Sequence, residues 1–251
     1  MSPDGALKAA CAVTSTGVAI GSAEWLRLSK NVIARTTLSV FSSVNGLPLL
    51  LSRAVLSGRM ASAAGVLVGV LYPPLLTPSV VLVVVFSVLT LFLHPLGLEA
   101  ADFIALGTFL VVAANRLRPD DIDARIACVL ACLMVCLSYV AAGACKFFSD
   151  VWGTGKAIPA VLKTVAFGTP TLIPYVEGMI FTKYAERVVI SMEVGFPLVL
   201  LLPGWATLVM LCGLALFHLL IAVTMGLNLF FWAYVAVLPC VYCVSQTLTG
   251  G

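Results

Sequence analysis

Five ionisable side chains lie inside or at the edge of otherwise apolar stretches of this 251-residue chain: His94, Asp102, Lys146, Glu193 and His218. Taking a charge into hydrocarbon is costly, so such residues are candidates for ligand binding, proton transfer or catalysis. Their types suit proton chemistry. An amine held out of water is easier to keep neutral, and a neutral amine is a general base; a neighbouring carboxylate or imidazole can accept or return the proton. Lys146 directly follows Tyr139-Val-Ala-Ala-Gly-Ala-Cys. It reads either as that base or as an anchor snorkelling to the membrane surface. Glu193 and His218 stand on consecutive apolar segments joined by Pro203-Gly204, at depths similar enough for a direct pair. A structural hydrogen bond that neutralises Glu193 would account for them equally well. His94, beside Pro95, is most simply an interfacial residue.

These residues need a scaffold, and composition identifies its kind. Of all residues 61% are hydrophobic and 10% charged, against roughly a quarter charged in soluble domains. Mean hydropathy is +1.13. A soluble surface needs polar groups to face water, whereas a bilayer removes that requirement. Crossing it takes about 20 apolar residues. Segments 6–26, 32–51, 61–76, 78–94, 99–114, 124–145, 186–203, 205–225 and 228–246 meet or approach that length. The expected fold is all-α: a polytopic bundle of about seven to nine transmembrane or re-entrant helices. Residues 1–251 are expected to form one domain. Residues 147–185, interrupted by Gly153, Gly155, Pro159, Gly168, Pro170 and Pro174, read as interfacial loop and short helices over one mouth. The N-terminal stretch, with Asp4 beside Lys8 and few leucines, reads as a first helix or signal anchor rather than a cleaved leader.

The net charge of +3 is spread over short loops, with no basic run of the kind that binds nucleic acid. Alternating loops place Arg27, Lys30, Arg116, Arg118 and Arg125 on one side (A). Arg53, Arg59, Lys156, Lys163, Lys183 and Arg187 fall on the other (B). That difference is too small to orient the chain. The same count puts all five ionisable residues in the half nearer side B. Glu193 lies roughly 10 Å and His218 roughly 12 Å deep at 1.5 Å per residue.

At 100° per residue, Cys128, Cys132, Cys136, Tyr139, Gly143 and Lys146 share a stripe about 80° wide. Small and sulfur-bearing residues of this kind commonly mark helix packing. Cys240-Val-Tyr-Cys243 is a C-x-x-C on an apolar terminal helix, without a thioredoxin-like setting. No phosphate-binding loop, dinucleotide fingerprint, zinc-protease helix or nucleophile elbow is present, and no metal site is expected.

Tyr139-Val-Ala-Ala-Gly-Ala-Cys-Lys146, followed by Trp152-Gly-Thr-Gly155-Lys-Ala, resembles the "Y-x-x-A-G-x-x-K … W-x-x-G-x-A" pattern of the HTTM family, the transmembrane domain shared with vitamin K-dependent γ-carboxylase. Met192-Glu193-Val-Gly-Phe-Pro197 is similar to that family's "E-x-x-x-P" helix. Phe217-His218-Leu-Leu-Ile-Ala-Val-Thr-Met-Gly226-Leu-Asn-Leu-Phe230 is similar to its "H-x-x-I-A-x-x-x-G-L-x-x-F" helix. Asn31-Val-Ile-Ala-Arg35 and Glu99-Ala-Ala-Asp102 resemble its early helices less closely. The ordered set covers most of the chain.

The resemblance implies a function residue by residue. Lys146 would be the base that deprotonates a reduced, vitamin K hydroquinone-like quinone, with Glu193 and His218 as the other catalytic residues. Tyr139, Trp152 and Asp102 would bind the cofactor. The 251 residues contain no counterpart of the carboxylase's large extramembrane domain, so the compact bacterial members that help mature small exported toxins are the nearer expectation. The implied activity is carboxylase-like modification or maturation of a peptide or protein substrate, in a multi-pass protein of the bacterial cell membrane. The alternative is a non-enzymatic, quinone-associated (DoxX-like) subunit, or a toxin maturation or immunity factor.

Overall fold

A computed structural model describes residues 1–28, 46–93, 100–120, 122–164, 169–178 and 180–250. His94, Glu99, Gly168 and the Asn31–Arg35 motif lie outside the described residues. The described chain is helical, with ten α-helices in order: α1 (Pro3–Leu28), α2 (Gly46–Leu71), α3 (Pro73–Leu93), α4 (Ala100–Leu117), α5 (Ala124–Phe147), α6 (Ala157–Leu162), α7 (Ile173–Val176), α8 (Ile180–Gly195), α9 (Gly204–Met225) and α10 (Asn228–Thr249). Seven of them, α1 to α5, α9 and α10, are long and apolar enough to cross a membrane. The chain is therefore a multi-pass, all-α membrane bundle. Its outward faces carry the apolar side chains a bilayer requires, such as Leu137, Trp205, Val209 and Val223.

Local chemistry sets the boundaries. Asp123 caps α5, its carboxylate accepting from the backbone N–H groups of Arg125 and Ile126 at 2.8 Å. Pro73 and Pro74 open α3, where their missing N–H groups would be unpaired anyway. The chain between α2 and α3 thus turns within the single residue Tyr72. Pro197 cannot donate to the carbonyl of Glu193, and its ring crowds that carbonyl. The α-helix gives way there: α8 ends at Gly195, and Phe196–Leu201 continues as a 3-10 segment. The expected span 186–203 is therefore split into α8 and a 3-10 segment, and it is not one of the seven helices long and apolar enough to cross a membrane.

One stretch differs from the expected spans. Residues 52–60 do not form a loop between two helices; α2 runs unbroken from Gly46 to Leu71. Arg53 and Arg59 lie inside it, and Arg59 is buried. Residues 32–45 of the expected span 32–51 lie outside the described residues, but Arg27 lies at the end of the bundle that carries Lys146. The contact between Glu24 of α1 and Asn228 at the start of α10 fixes that end, with a 2.6 Å hydrogen bond. The A/B tally therefore fails for Arg27, and Arg53 and Arg59 lie within a helix rather than in a loop.

α10 lies at the centre, packed against α1, α4, α5 and α9. Ala233, Ala236, Val237, Cys240 and Val241 on it are fully buried. Ser138 of α5 and Tyr234 of α10 are joined at 2.6 Å, which fixes the register of this antiparallel pair.

Candidate functional site

Lys146, in the last turn of α5, reaches across to Glu193 of α8. Its Nζ donates to Oε1 at 2.7 Å and to Oε2 at 2.6 Å. Gly143, one turn earlier, lets the two backbones meet: a Cβ there would stand 2.8 Å from the Val194 nitrogen and 2.9 Å from the Glu193 Cβ. The absent side chain at 143 is what brings the carboxylate within reach of the amine.

Trp152 arrives from the following loop, and Lys146 Nζ lies 5.2 Å from its ring centre, within cation–π range. That loop is held by a residue sequence reasoning did not single out. Glu186 of α8, completely buried, accepts from the backbone N–H groups of Gly155 at 2.8 Å and Ile158 at 3.0 Å. Gly153 and Gly155 take positive φ values of 77° and 89°, a conformation that side chains resist. The Trp152-x-x-Gly155 spacing is thus a turn folded back over the end of α5. Its only signal in the sequence was the glycine pair beside a tryptophan.

One to two turns deeper along α5 sits a second polar pair. Tyr139 Oη and His218 Nε2 of α9 share a short hydrogen bond. Aromatic rings surround it: Phe196 at 4.4 Å from the Tyr139 ring, and Tyr234 and Phe230 at 4.7 and 5.2 Å from the imidazole, the former stacked at 19°. His218 is 1% exposed, and its Nδ1 has no hydrogen-bond partner among the described residues. Ser138 and Tyr234, unnoticed in the sequence, extend the chain of hydroxyls by one link.

The expected direct pair of Glu193 with His218 does not form. Each has another partner, Lys146 and Tyr139 respectively, and α8, which carries Glu193, packs on α5. Lys146 and Tyr139 on α5, Glu193 on α8, His218 on α9 and Trp152 on the turn after α5 nevertheless lie in one half of the bundle, linked by the Lys146–Glu193 and Tyr139–His218 contacts.

Asp102 does not join them. Its carboxylate accepts from Arg59 Nη2 at 3.0 Å, and Arg59 Nε donates to Ser87 Oγ at 3.2 Å. This second ion pair joins α2, α3 and α4. It faces a cavity of about 60 Å³ between α1 and the α9–α10 turn, lined also by Glu24, Trp25, Gly226 and Asn228. Asp102 therefore belongs to a different polar centre at the same end of the bundle. Its position three residues after Glu99 gives no hint of Arg59, which the sequence places in a loop. Among the described residues, no group of three or more His, Cys, Asp or Glu side chains is placed to hold a metal ion.

Compared with known proteins, the chain matches no protein-family model, no curated protein and no solved structure.

Proposed function

We propose that this chain is a compact HTTM-like intramembrane enzyme, with Lys146 as general base toward a reduced quinone. It would serve the modification or maturation of a peptide or protein at a bacterial cell membrane. What supports this above all is the Lys146–Glu193 pair. An amine and a carboxylate joined by two short hydrogen bonds stand at the accessible end of a buried column that leads to Tyr139 and His218. Two residues that resemble separate motifs 47 positions apart meet in that pair.

A quinol needs flat apolar surfaces for its ring and polar partners for its oxygens. The rings of Phe196, Phe230 and Tyr234 and the unpartnered Nδ1 of His218 are groups of both kinds, so the residues fit it. When bound, a reduced quinone would supply an acidic ring hydroxyl. The chain's own part is proton handling. The Lys146 ammonium passes a proton along its hydrogen bond to the Glu193 carboxylate, leaving a neutral amine that can take another. Trp152 covers that amine and limits its exchange with water. Tyr139 orients the His218 imidazole through Nε2, which leaves Nδ1 to hold a ligand oxygen.

The test uses purified protein in lipid nanodiscs supplied with oxygen and a menaquinol, with quinol consumption followed by absorbance. The wild type should consume quinol faster than empty discs, and Lys146→Ala should fall to the empty-disc rate. A folded Lys146→Ala protein that keeps the full rate overturns the proposal.

A further inference from the structure

The turn that carries Trp152 also gathers positive charge that the proton-handling residues leave unused. Lys156 follows that turn directly, and Lys183 and Arg187 stand one helical turn apart on α8. The turn packs on the stems of both. A Cβ at Gly155 would lie 3.4 Å from the Lys183 Cβ, and one at Gly153 would lie 3.8 Å from the Arg187 Cγ. Buried Glu186 fixes it there through the Gly155 and Ile158 N–H groups. Lys156, Lys183 and Arg187 are all exposed, and none has a carboxylate partner among the described residues. The nearby lysines differ: Lys146 is paired with Glu193, and Lys163 with Glu177.

The rest of α8 says what kind of anion suits them. Its buried residues Thr182, Glu186 and Glu193 share an arc about 40° wide at 100° per residue. The opposite arc carries Phe181, Tyr184 and Val188, which are 72%, 58% and 64% exposed. Lys183 and Arg187 project between the two arcs, on the side against which the turn packs. Aromatic residues beside Lys and Arg at the end of an apolar segment mark the headgroup level of a bilayer. From Val188 to Leu201 the chain has no Lys or Arg. Val194, two turns beyond Arg187 on the same stripe, is exposed and apolar. Cations at one level with bare apolar surface beneath them match a molecule with a charged head and a hydrocarbon tail.

We propose that Lys156, Lys183 and Arg187 bind the headgroup of an anionic phospholipid, whose acyl chains lie along Tyr184, Val188 and Val194 of α8. The guanidinium and the two ammonium groups donate to phosphate oxygens, and these charge-assisted bonds are the strong kind. A zwitterionic lipid offers the same phosphate, but its own ammonium cancels the charge that three unpaired cations attract. The turn beside Lys146 is then held from within by Glu186 and from outside by the lipid. The site is exposed on the outer face of the bundle, so a lipid reaches it from the bilayer directly. It does not depend on Lys146 acting as a base.

The experiment takes the full chain in dodecyl maltoside and titrates it with phosphatidylglycerol or phosphatidylcholine of the same acyl chains. Bound lipid is counted by native mass spectrometry, and circular dichroism checks that each variant is folded. The wild type should bind phosphatidylglycerol the more tightly. Lys156→Gln, Lys183→Gln and Arg187→Gln should each weaken it by about five-fold, and the three together should bring it to the phosphatidylcholine level. Lys8→Gln with Arg118→Gln and Arg125→Gln removes as much charge at the opposite end, where Cys128 of α5 meets Pro3. That variant should bind like the wild type, and so should Lys146→Ala, which separates this inference from the quinol-base proposal. Equal affinity of the wild type for the two lipids overturns it. So does a preference that survives in the triple α8-side variant, or one lost equally in the opposite-end control. If the triple variant does not fold, the single variants decide: none weaker than the wild type overturns the site. Inorganic phosphate in large excess should leave the lipid bound; displacement would make this a site for a free anion and overturn the lipid assignment.

Discussion

Two ion pairs lie at the same end of this bundle, and they differ in how far their cations reach solvent. Arg59 and Asp102 have side chains 5% and 10% exposed, and Ser87 takes up a further guanidinium N–H. The pair ties three helices together and borders a small polar cavity. Lys146 and Glu193 are 21% and 8% exposed, joined at the end of α5 beside the Trp152 turn. A charge pair with both partners almost wholly buried acts as a structural tie, because neither partner can leave without stranding the other. One with an open edge can exchange its proton. Exposure of the cation, rather than the presence of the pair, distinguishes the two.

Substitutions can break or sharpen that contrast. The largest effect should come from Lys146→Ala, which removes the proposed base. Quinol turnover should drop by about 10²–10⁴-fold, the usual contribution of a positioned acid or base. Circular dichroism and gel filtration in detergent should remain those of the wild type. Arg59→Ala should do the reverse, costing about 3–5 kcal/mol of stability by leaving Asp102 buried and unpaired. Thermal unfolding in detergent measures this, and activity should follow the folded fraction. The double change Arg59→Met with Asp102→Leu should recover most of that loss, since apolar residues of similar volume commonly replace a buried pair without penalty. Lys146→Met with Glu193→Leu should likewise stay folded yet remain inactive. An active double variant there would erase the distinction.

Smaller effects probe the positioning groups. Gly143→Ala drives a methyl against the Val194 backbone and should cost about 1–3 kcal/mol through overpacking. Because it separates α5 from α8, its turnover should fall further than its stability does. Trp152→Ala should lose about 0.5–2 kcal/mol of cation–π interaction, seen as a several-fold rise in KM with kcat nearly kept.

Much of the scaffold was legible in residue order. The apolar runs of α3, α5, α9 and α10 announce spans by length alone, since a bilayer needs a fixed length of helix. The inward stripe from Cys128 to Lys146 follows from 3.6-residue periodicity, and its buried members do face the interior. Arg59 was the main misreading. An arginine in an apolar stretch looks like a helix end, and only a carboxylate from another helix makes it tolerable inside one. That carboxylate is Asp102, 43 residues away. The same blindness paired Glu193 with His218: similar depth was visible, but the packing of α8 on α5 was not.

By itself, then, the sequence determined the class of fold, the inward face of α5, and the gathering of Asp102, Lys146, Glu193 and His218 in one half of the bundle. Those properties depend on hydropathy and period, which are local along a chain. Tertiary structure alone decided which carboxylate meets which cation, and that Asp102 leaves the Lys146 group for Arg59. Such pairings depend on helix contacts and side-chain reach across dozens of residues. Short-range pattern carries no record of them.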